Sequence, residues 1–312
     1  MNIQQFQYVL AVVDFKNFED AAEKCHVTQS TLSTMIGKLE KELDIKIFNR
    51  KTKPVTITPE GQQLIDRFRI ITNELDILDN LTQELKGEMV GELRIAIIPT
   101  ITPYLLPLFL SKFTNKFPKV TLIVKEMTTS EITHALKIRS IDIGILALPI
   151  NERELSEIEL FSEPFLIYDC TEENNQTKIP ISDLDYSKLF LLSDGHCLRT
   201  QVQKVCELST KHATKDFNFE FESGSMDSLL RVTKNRKGIT IIPYLASIDL
   251  PEEESDKIMR FEPPIPVRQV GLVTHNFFVK KKLLKSLKSI ISEATDDLIP
   301  RLKDEKQIMN PL

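Results

Sequence analysis

The chain has 312 residues, 41% of them hydrophobic and 27% charged, with a formal charge of −5. That length exceeds one ordinary domain, and the composition excludes a mini-protein, a largely disordered chain and a protein that coats nucleic acid over its whole surface. Four cysteines over this length do not make a disulfide framework, and no apolar run reaches the roughly 18–20 residues that span a bilayer, so the chain reads as cytoplasmic with reduced thiols.

From Ile3 to about Thr58 the pattern predicts three short helices and a hairpin. "IQQFQYVLAVVDF" places Phe6, Val9, Leu10 and Val13 at helical spacing, and "FEDAAEKC" makes a second helix. "TQSTLSTMIGKLEKEL" makes a third, with Thr28 as its N-cap. Leu32, Met35, Ile36, Leu39 and Leu43 form the apolar stripe of that helix, which leaves Gln29, Ser30, Thr31, Ser33, Thr34 and Lys38 outside it. Short polar arms at a helix start suit entry into a DNA major groove, where such side chains reach base edges and backbone amides face phosphate. Arg50, Lys51 and Lys53 lie at the tip of a two-stranded wing, "FNRKTKPVTITPEG", and extend the basic patch. A small helical domain with a solvated charged face is the bland alternative.

After Pro59-Glu60-Gly61 a long helix carries Leu64, Phe68, Ile71, Leu75, Leu78, Thr82 and Leu85 at spacings of four and three, the stripe of a coiled coil that pairs with a second copy. Beyond Gly87 and Gly91 strands and helices alternate, beginning with "ELRIAIIPT", "PYLLPLFLSKFTNKF" and "VTLIVKEM". A second set runs through "PFLIYDC", "KLFLLSD", "FNFEFES" and "GITIIPYLA" to "VRQVGLVTH" and a terminal helix from about Lys280 to Arg301. That rhythm predicts two open α/β lobes around parallel sheets, with a cleft between them.

The stretch "SDGHCLRTQVQKVCELST", Ser193 to Thr210, holds two of the four cysteines. The sequence has no Gly-rich phosphate loop, no Ser elbow and no zinc-spaced Cys/His cluster, and His196-Cys197 lacks further nearby metal ligands. Thiol chemistry remains. A helix over Leu198 to Leu208, capped by Asp194 or Ser193, would place Cys197 in its first turn and lower the thiol pKa through its N-terminus and through Arg199. If Cys197 and Cys206 share that helix, nine steps put their Cα atoms roughly 13–14 Å apart on opposite faces. A disulfide tolerates about 7 Å, so a bond between them would require the segment to unwind. Cys206 as a small buried hydrophobe beside Val202, Val205 and Leu208 is the plain alternative.

"AAEKCHVTQSTLSTMIGKLEKELDIKIFNRKTKPVTITPEG" resembles the winged helix-turn-helix of LysR-type transcriptional regulators, and the resemblance covers nearly the full chain. It implies an α/β fold with a winged helix-turn-helix at 1–59, a linker dimerisation helix at 60–90 and a two-lobed regulatory domain at 91–312. That domain resembles a periplasmic binding protein, with lobe I at about 91–163 and 268–312 and lobe II at about 164–267. "IPTITPYLLP", "KEMTTSE", "GILAL", "DGHCLR" with a second cysteine, and "GITIIP" are similar to the hydrogen-peroxide-sensing activators of that family. The resemblance implies that Cys197 is oxidised to a sulfenic acid and that Cys206 closes a disulfide. Thr100, Thr129 and His196 match residues around the peroxide, and Arg268 is a looser match.

The implied signal is hydrogen peroxide, with no cofactor, no metal and no enzymatic turnover. The implied partners are double-stranded promoter DNA, a homodimer that assembles to a homotetramer, RNA polymerase, and a thiol reductant such as glutaredoxin or thioredoxin. Position 30 is Ser where the family usually has Pro, and "HNFFVKK" after "VGLVT" departs from its pattern. Cys25 matches a structural position and Cys170 has no assigned role. The competing reading is a regulator of the same family that binds a small metabolite in its cleft, and a thiol peroxidase is the enzyme reading.

Overall fold

A computed structural model describes residues 1–85, 89–171, 177–184, 186–207, 223–301 and 306–311. Contacts divide the chain into two units, Met1–Glu88 with Ile138–Ser140, and the remainder.

The first unit holds α1 (Ile3–Phe15), α2 (Phe18–Lys24), α3 (Gln29–Leu43), the hairpin β1 (Phe48–Asn49) and β2 (Thr56–Ile57), and α4 (Pro59–Leu85). Asn2 opens α1 with a reciprocal capping box to Gln5, and Thr28 caps α3 by accepting from the Thr31 amide at 3.2 Å. Val9, Val12, Leu32, Ile36 and Leu39 make one core with Phe18 and Phe48. Its charged anchor is Glu40, 2% exposed, which accepts from the Ile47 amide at 2.8 Å, the Phe48 amide at 3.3 Å and Arg50 Nη2 at 3.2 Å. One carboxylate therefore ties the end of α3 to the start of the wing.

Part of the stripe expected on α4 belongs to this core instead. Phe68 is buried and stacks on Phe6 at 4.4 Å between centroids, and Leu64 packs against the same cluster. The first turns of α4 cover the apolar face of α1, and of the stripe the later positions Ile71, Leu75, Leu78 and Thr82 stay exposed. Leu81, which was not in the predicted stripe, is exposed with them. The side chain of Leu85 lies outside the described residues.

The second unit begins with β3 (Gly91–Ile97), α5 (Thr102–Lys116), β4 (Val120–Glu126), α6 (Thr129–Lys137) and β5 (Ile143–Leu148). It continues with β6 (Leu155–Asp169), β7 (Lys178–Ile179), α7 (Cys197–Glu207), α8 (Met226–Asn235), β8 (Ile239–Pro243) and α9 (Tyr244–Ile248). It closes with β9 (Ile258–Phe261), β10 (Ile265–His275), α10 (Lys281–Thr295) and β11 (Lys306–Ile308). Strands β4, β3 and β5 are parallel, as the strand-helix rhythm predicts, but β10 pairs antiparallel with both β5 and β6. The parallel expectation fails there for a simple reason. β6 carries the chain out of one core and β10 carries it back, so the two run opposite ways side by side.

Two apolar clusters result. One gathers β3, α5, α6, β5 and α10, and the other gathers the second half of β6 with α8, β8 and β9. The predicted strand "KLFLLSD" makes only isolated bridges, Leu189 to Ile239 and Leu192 to Ser223. The predicted strand "FNFEFES" lies outside the described residues except for Ser223. The terminal helix stops at Thr295, short of the expected Arg301. Among the described residues no helix is long and apolar enough to cross a membrane.

Replacing Glu40 with Ala leaves two buried amides and Arg50 without their acceptor, and is expected to cost about 2–4 kcal/mol in the stability of the first unit. Urea denaturation of the full chain reads this, and an unshifted midpoint would remove Glu40 from the anchor role.

Candidate functional site

Cys197 opens α7. The turn before it passes through Gly195 at φ +91, a conformation that side-chain-bearing residues rarely adopt, and this bend sets His196 and Cys197 at the helix start. Cys197 is 6% exposed and belongs to the first apolar cluster, while Leu198, Val202 and Val205 of the same helix belong to the second. Cys206 packs against the second cluster, and both thiols are free. One helix thus roots its two cysteines in different cores. Nine residues of helix hold their Cα atoms about 13–14 Å apart, on opposite faces.

Around the Cys197 sulfur lies a narrow recess lined by Thr100, Thr128, Thr129, Gly195 and His196, with Ile98 and Pro99 behind. A cavity of about 520 Å³ on the other side of Thr129, His196 and Cys197 opens between α6, α7 and Pro311. Thr129 is 7% exposed, and its hydroxyl has no hydrogen-bond partner among the described residues. It lies close enough to the sulfur to favour the thiolate, yet is not aligned on any acceptor at rest. Arg268 on β10 holds one wall of the recess: its Nη1 donates to Thr100 Oγ1 at 3.1 Å and its Nη2 to the Thr100 carbonyl at 3.2 Å. Arg268 is fully buried and ion-paired through Nε with Glu163 Oε1 at 2.7 Å.

Burial pushes the Cys197 thiol up. Arg268, the Thr129 hydroxyl and the amides of Leu198 and Cys197 act against that without overcoming it. The cation that bears on the thiol is therefore Arg268 and not Arg199, the residue expected from the sequence. Arg199 turns away, with Nη1 donating to the Leu192 carbonyl at 2.7 Å and Nε 2.8 Å from the Asp194 carboxylate. Burial lowers His196 below its ordinary value, outweighing the opposing field of Glu126, so at neutral pH it faces the recess as uncharged imidazole. Cys206 is pushed up to about 12 by burial.

Helix α7 is also clasped by the last described segment. Gln201, fully buried, donates to the Met309 carbonyl at 2.8 Å, and Lys204 donates to the Asn310 carbonyl at 3.2 Å. Residues Lys306–Ile308 in turn pair parallel with β10.

The predicted peroxide-binding residues Thr100, Thr129, His196 and Arg268 thus converge on Cys197, and Glu163 joins them unpredicted. Its sequence signal is faint, a lone acid before the apolar run "PFLIYD". Among the described residues no group of three or more His, Cys, Asp or Glu could hold a metal.

In the first unit Gln29, Ser30, Thr31 and Lys38 are exposed on α3, and Lys51 and Lys53 on the wing. Ser33 is half-buried and accepts from Arg50 Nη1 at 2.8 Å, while the Arg50 guanidinium lies 4.9 Å from the Phe18 ring centroid. Arg50 is thus a brace between wing and helix as well as a surface cation.

The chain matches, over residues 3–62, the family described as bacterial regulatory helix-turn-helix protein, lysR family, and over residues 86–295 the LysR substrate binding domain. It is 35% identical to the DNA-binding transcriptional dual regulator OxyR of Escherichia coli over 277 residues, 88% of this chain and 89% of that protein. Full-length OxyR from Pseudomonas aeruginosa, in a variant form, superposes with a TM-score of 0.75 at 26% identity, covering 94% of this chain and 98% of that one. OxyR from Porphyromonas gingivalis superposes with a TM-score of 0.63 at 29% identity, over 71% of this chain and all of that one.

The thiols give a pH prediction. The fold keeps Cys206 neutral up to about 12, whereas an unwound segment ionises near its ordinary 9.0, so α7 holds its full stability below 9.0 and loses it as the pH rises from there toward 12. Three pKa units correspond to about a thousandfold less thiolate near neutrality. Iodoacetamide at pH 8 is expected to modify Cys206 far more slowly in the reduced folded chain than in urea, and equal rates would rule out the protected thiol.

Proposed function

The chain belongs to the LysR family of bacterial helix-turn-helix regulators, and on that footing we propose that it is a hydrogen-peroxide-responsive transcriptional regulator that takes its signal at Cys197. The observation that carries this reading is the buried Thr129 hydroxyl, without a hydrogen-bond partner among the described residues, set beside a buried thiol in a recess bordered by Thr100, which Arg268 holds in turn. A small neutral molecule with two hydroxyls can satisfy such a group within the narrow recess.

Reaction begins when Cys197 gives up its proton, for which the uncharged imidazole of His196 is an acceptor. The thiolate attacks one peroxide oxygen, the O–O bond breaks, and the departing hydroxide takes up a proton to leave as water. Sulfur has lost two electrons and stands as a sulfenic acid. Hydroxyls of Thr100 and Thr129 and the charge of Arg268 meet the negative charge that grows on the leaving oxygen. Because burial keeps the thiolate a minority, reactivity comes from placement more than from ionisation.

The second step requires α7 to unwind. Once exposed, the Cys206 thiol ionises near its ordinary value, attacks the Cys197 sulfur and expels hydroxide to close the disulfide. Unwinding also removes Gln201 and Lys204 from the terminal segment they hold, which couples the signal to the rest of the regulatory unit. A dithiol of the glutaredoxin or thioredoxin kind then returns both electrons and resets the switch. The event is stoichiometric and needs no cofactor, so the protein acts as a sensor and not as an enzyme, in the cytoplasm.

In the same reading residues 1–59 bind promoter DNA, 60–90 link and dimerise through Ile71, Leu75 and Leu78, and 91–312 regulate, with lobe I at about 91–163 and 268–312 and lobe II at about 164–267. Dimers assemble to a tetramer whose rearrangement changes contact with RNA polymerase. A second reading, a metabolite-responsive regulator, draws support from a separate cavity of about 770 Å³ lined by Tyr104, Tyr168, Met226, Asp249 and Glu254.

About one equivalent of peroxide is expected to produce a Cys197–Cys206 disulfide within seconds, mapped by mass spectrometry after thiol quenching. Cys206→Ser is expected to stop at a sulfenic acid that dimedone traps, and Cys197→Ser to abolish the transcriptional response. Two free thiols after prolonged exposure would leave the metabolite reading in its place. For the head, Lys51→Ala is expected to reduce the salt dependence of DNA binding by about one phosphate contact. Arg50→Ala is expected to weaken binding to all sequences by freeing the wing from Ser33 and Glu40. Unchanged filter-binding curves for both variants would remove the wing from the interface.

A further inference from the structure

Glu163 and Arg268 face each other as cross-strand partners on β6 and β10, and neither has any solvent exposure. Glu163 spends one carboxylate oxygen on Arg268 Nε at 2.7 Å and the other on the Leu245 amide, in the first turn of α9, at 2.8 Å. The remaining guanidinium nitrogens go to Thr100, so the cation sits between a carboxylate on one side and the Cys197 recess on the other. Arg268 is the strongest of the influences that favour the Cys197 anion, and its own counter-charge is Glu163.

We propose that Glu163 is a positioning residue that sets the reactivity of Cys197: its carboxylate holds the Arg268 guanidinium on Thr100 and cancels part of the charge that the guanidinium presents to the sulfur. The two roles pull in opposite directions. Holding Arg268 in place promotes the thiolate, and cancelling its charge restrains it, so the resting sensor keeps its thiol mostly protonated beside a buried cation. The inference rests on the reading of Cys197 as the reactive thiol.

Other titratable groups face this assembly. Tyr104 looks onto Arg268 and Glu163, and burial with the field of Asp249 pushes its hydroxyl up to about 12, so it stays neutral through the working range. Asp227 and Asp249 act on Tyr104 from α8 and from the end of α9. His196 faces the sulfur from the recess side, with Glu126 acting on it, and His196 is uncharged above its lowered pKa.

The test is the pH profile of Cys197 alkylation by iodoacetamide in the reduced full chain, read by mass spectrometry between about pH 6 and pH 10. Alkylation needs no peroxide, so this inference can fail while the peroxide reading stands, and the reverse. Glu163→Gln removes the charge and keeps most of the shape; the profile is expected to move down by about one unit, about tenfold faster alkylation at neutral pH. Glu163→Asp keeps the charge and shortens the arm, drawing Arg268 off Thr100, and the profile is expected to move up, to about threefold slower alkylation. A mere change in access scales the rate without moving the midpoint, and general loosening moves both variants the same way. Shifts of opposite sign support the proposal, and two shifts of one sign, or none, overturn it. Should Glu163→Gln fail to fold by near-ultraviolet circular dichroism, Glu163→Asp decides alone: an upward midpoint supports the proposal, and an unmoved or lowered one overturns it.

Discussion

Two full charges, Arg268 and Glu163, sit opposite each other on β10 and β6 with no exposure to water, and removing two such ions from solvent costs several kcal/mol each before any contact forms. What offsets that cost is the completeness of the pairing: one direct ion pair, a backbone amide on the second carboxylate oxygen, and a side-chain and a main-chain oxygen on the guanidinium. Each partner comes from a different element, so the pair holds only if β6, β10, α9 and the loop after β3 are all in place. The geometry around Cys197 follows from that requirement, since Thr100 both receives Arg268 and borders the recess.

Helix α7 sits at the opposite extreme of commitment. Its first residue belongs to one apolar cluster and its next buried residues to another, so the helix is stabilised by two cores at once and owes full allegiance to neither. A disulfide between its two cysteines is incompatible with eleven residues of regular helix. Under the proposed chemistry, disulfide formation and hydrophobic burial compete for the same segment, and the redox state of two sulfur atoms decides between them. Such competition makes a discrete two-state element, because neither conformation can be deformed gradually into the other.

Much of this was legible along the chain wherever the deciding interactions are local. The stripe and N-cap of α3, the wing and the alternation of strands and helices can be read from neighbouring residues, and the residues expected around Cys197 came from motif resemblance. Interactions across long sequence separations escaped. Phe68 fits the heptad pattern perfectly well, yet stacks on Phe6, which no periodicity reveals. Arg199 stands beside Cys197 in sequence and turns to Asp194, while Arg268, seventy-one positions away, supplies the field. Burial reversed the expected lowering of the Cys197 pKa, because the helix start that favours the anion is also the place where the sulfur leaves water. Glu163 carried no signal beyond being an acid next to an apolar strand.

The clasp on α7 has a consequence for the order in which the protein can be made. Gln201 is held by the carbonyl of a residue 108 positions further on, and Lys204 by one 106 further. On a chain emerging from the ribosome those partners arrive long after α7 itself, and closing a loop of that length is slow compared with forming a helix. Throughout that interval the thiol segment lacks its terminal restraint. The newborn protein therefore passes through a stage in which α7 is unlatched, and its two cysteines first meet the solvent of the compartment in which it is synthesised.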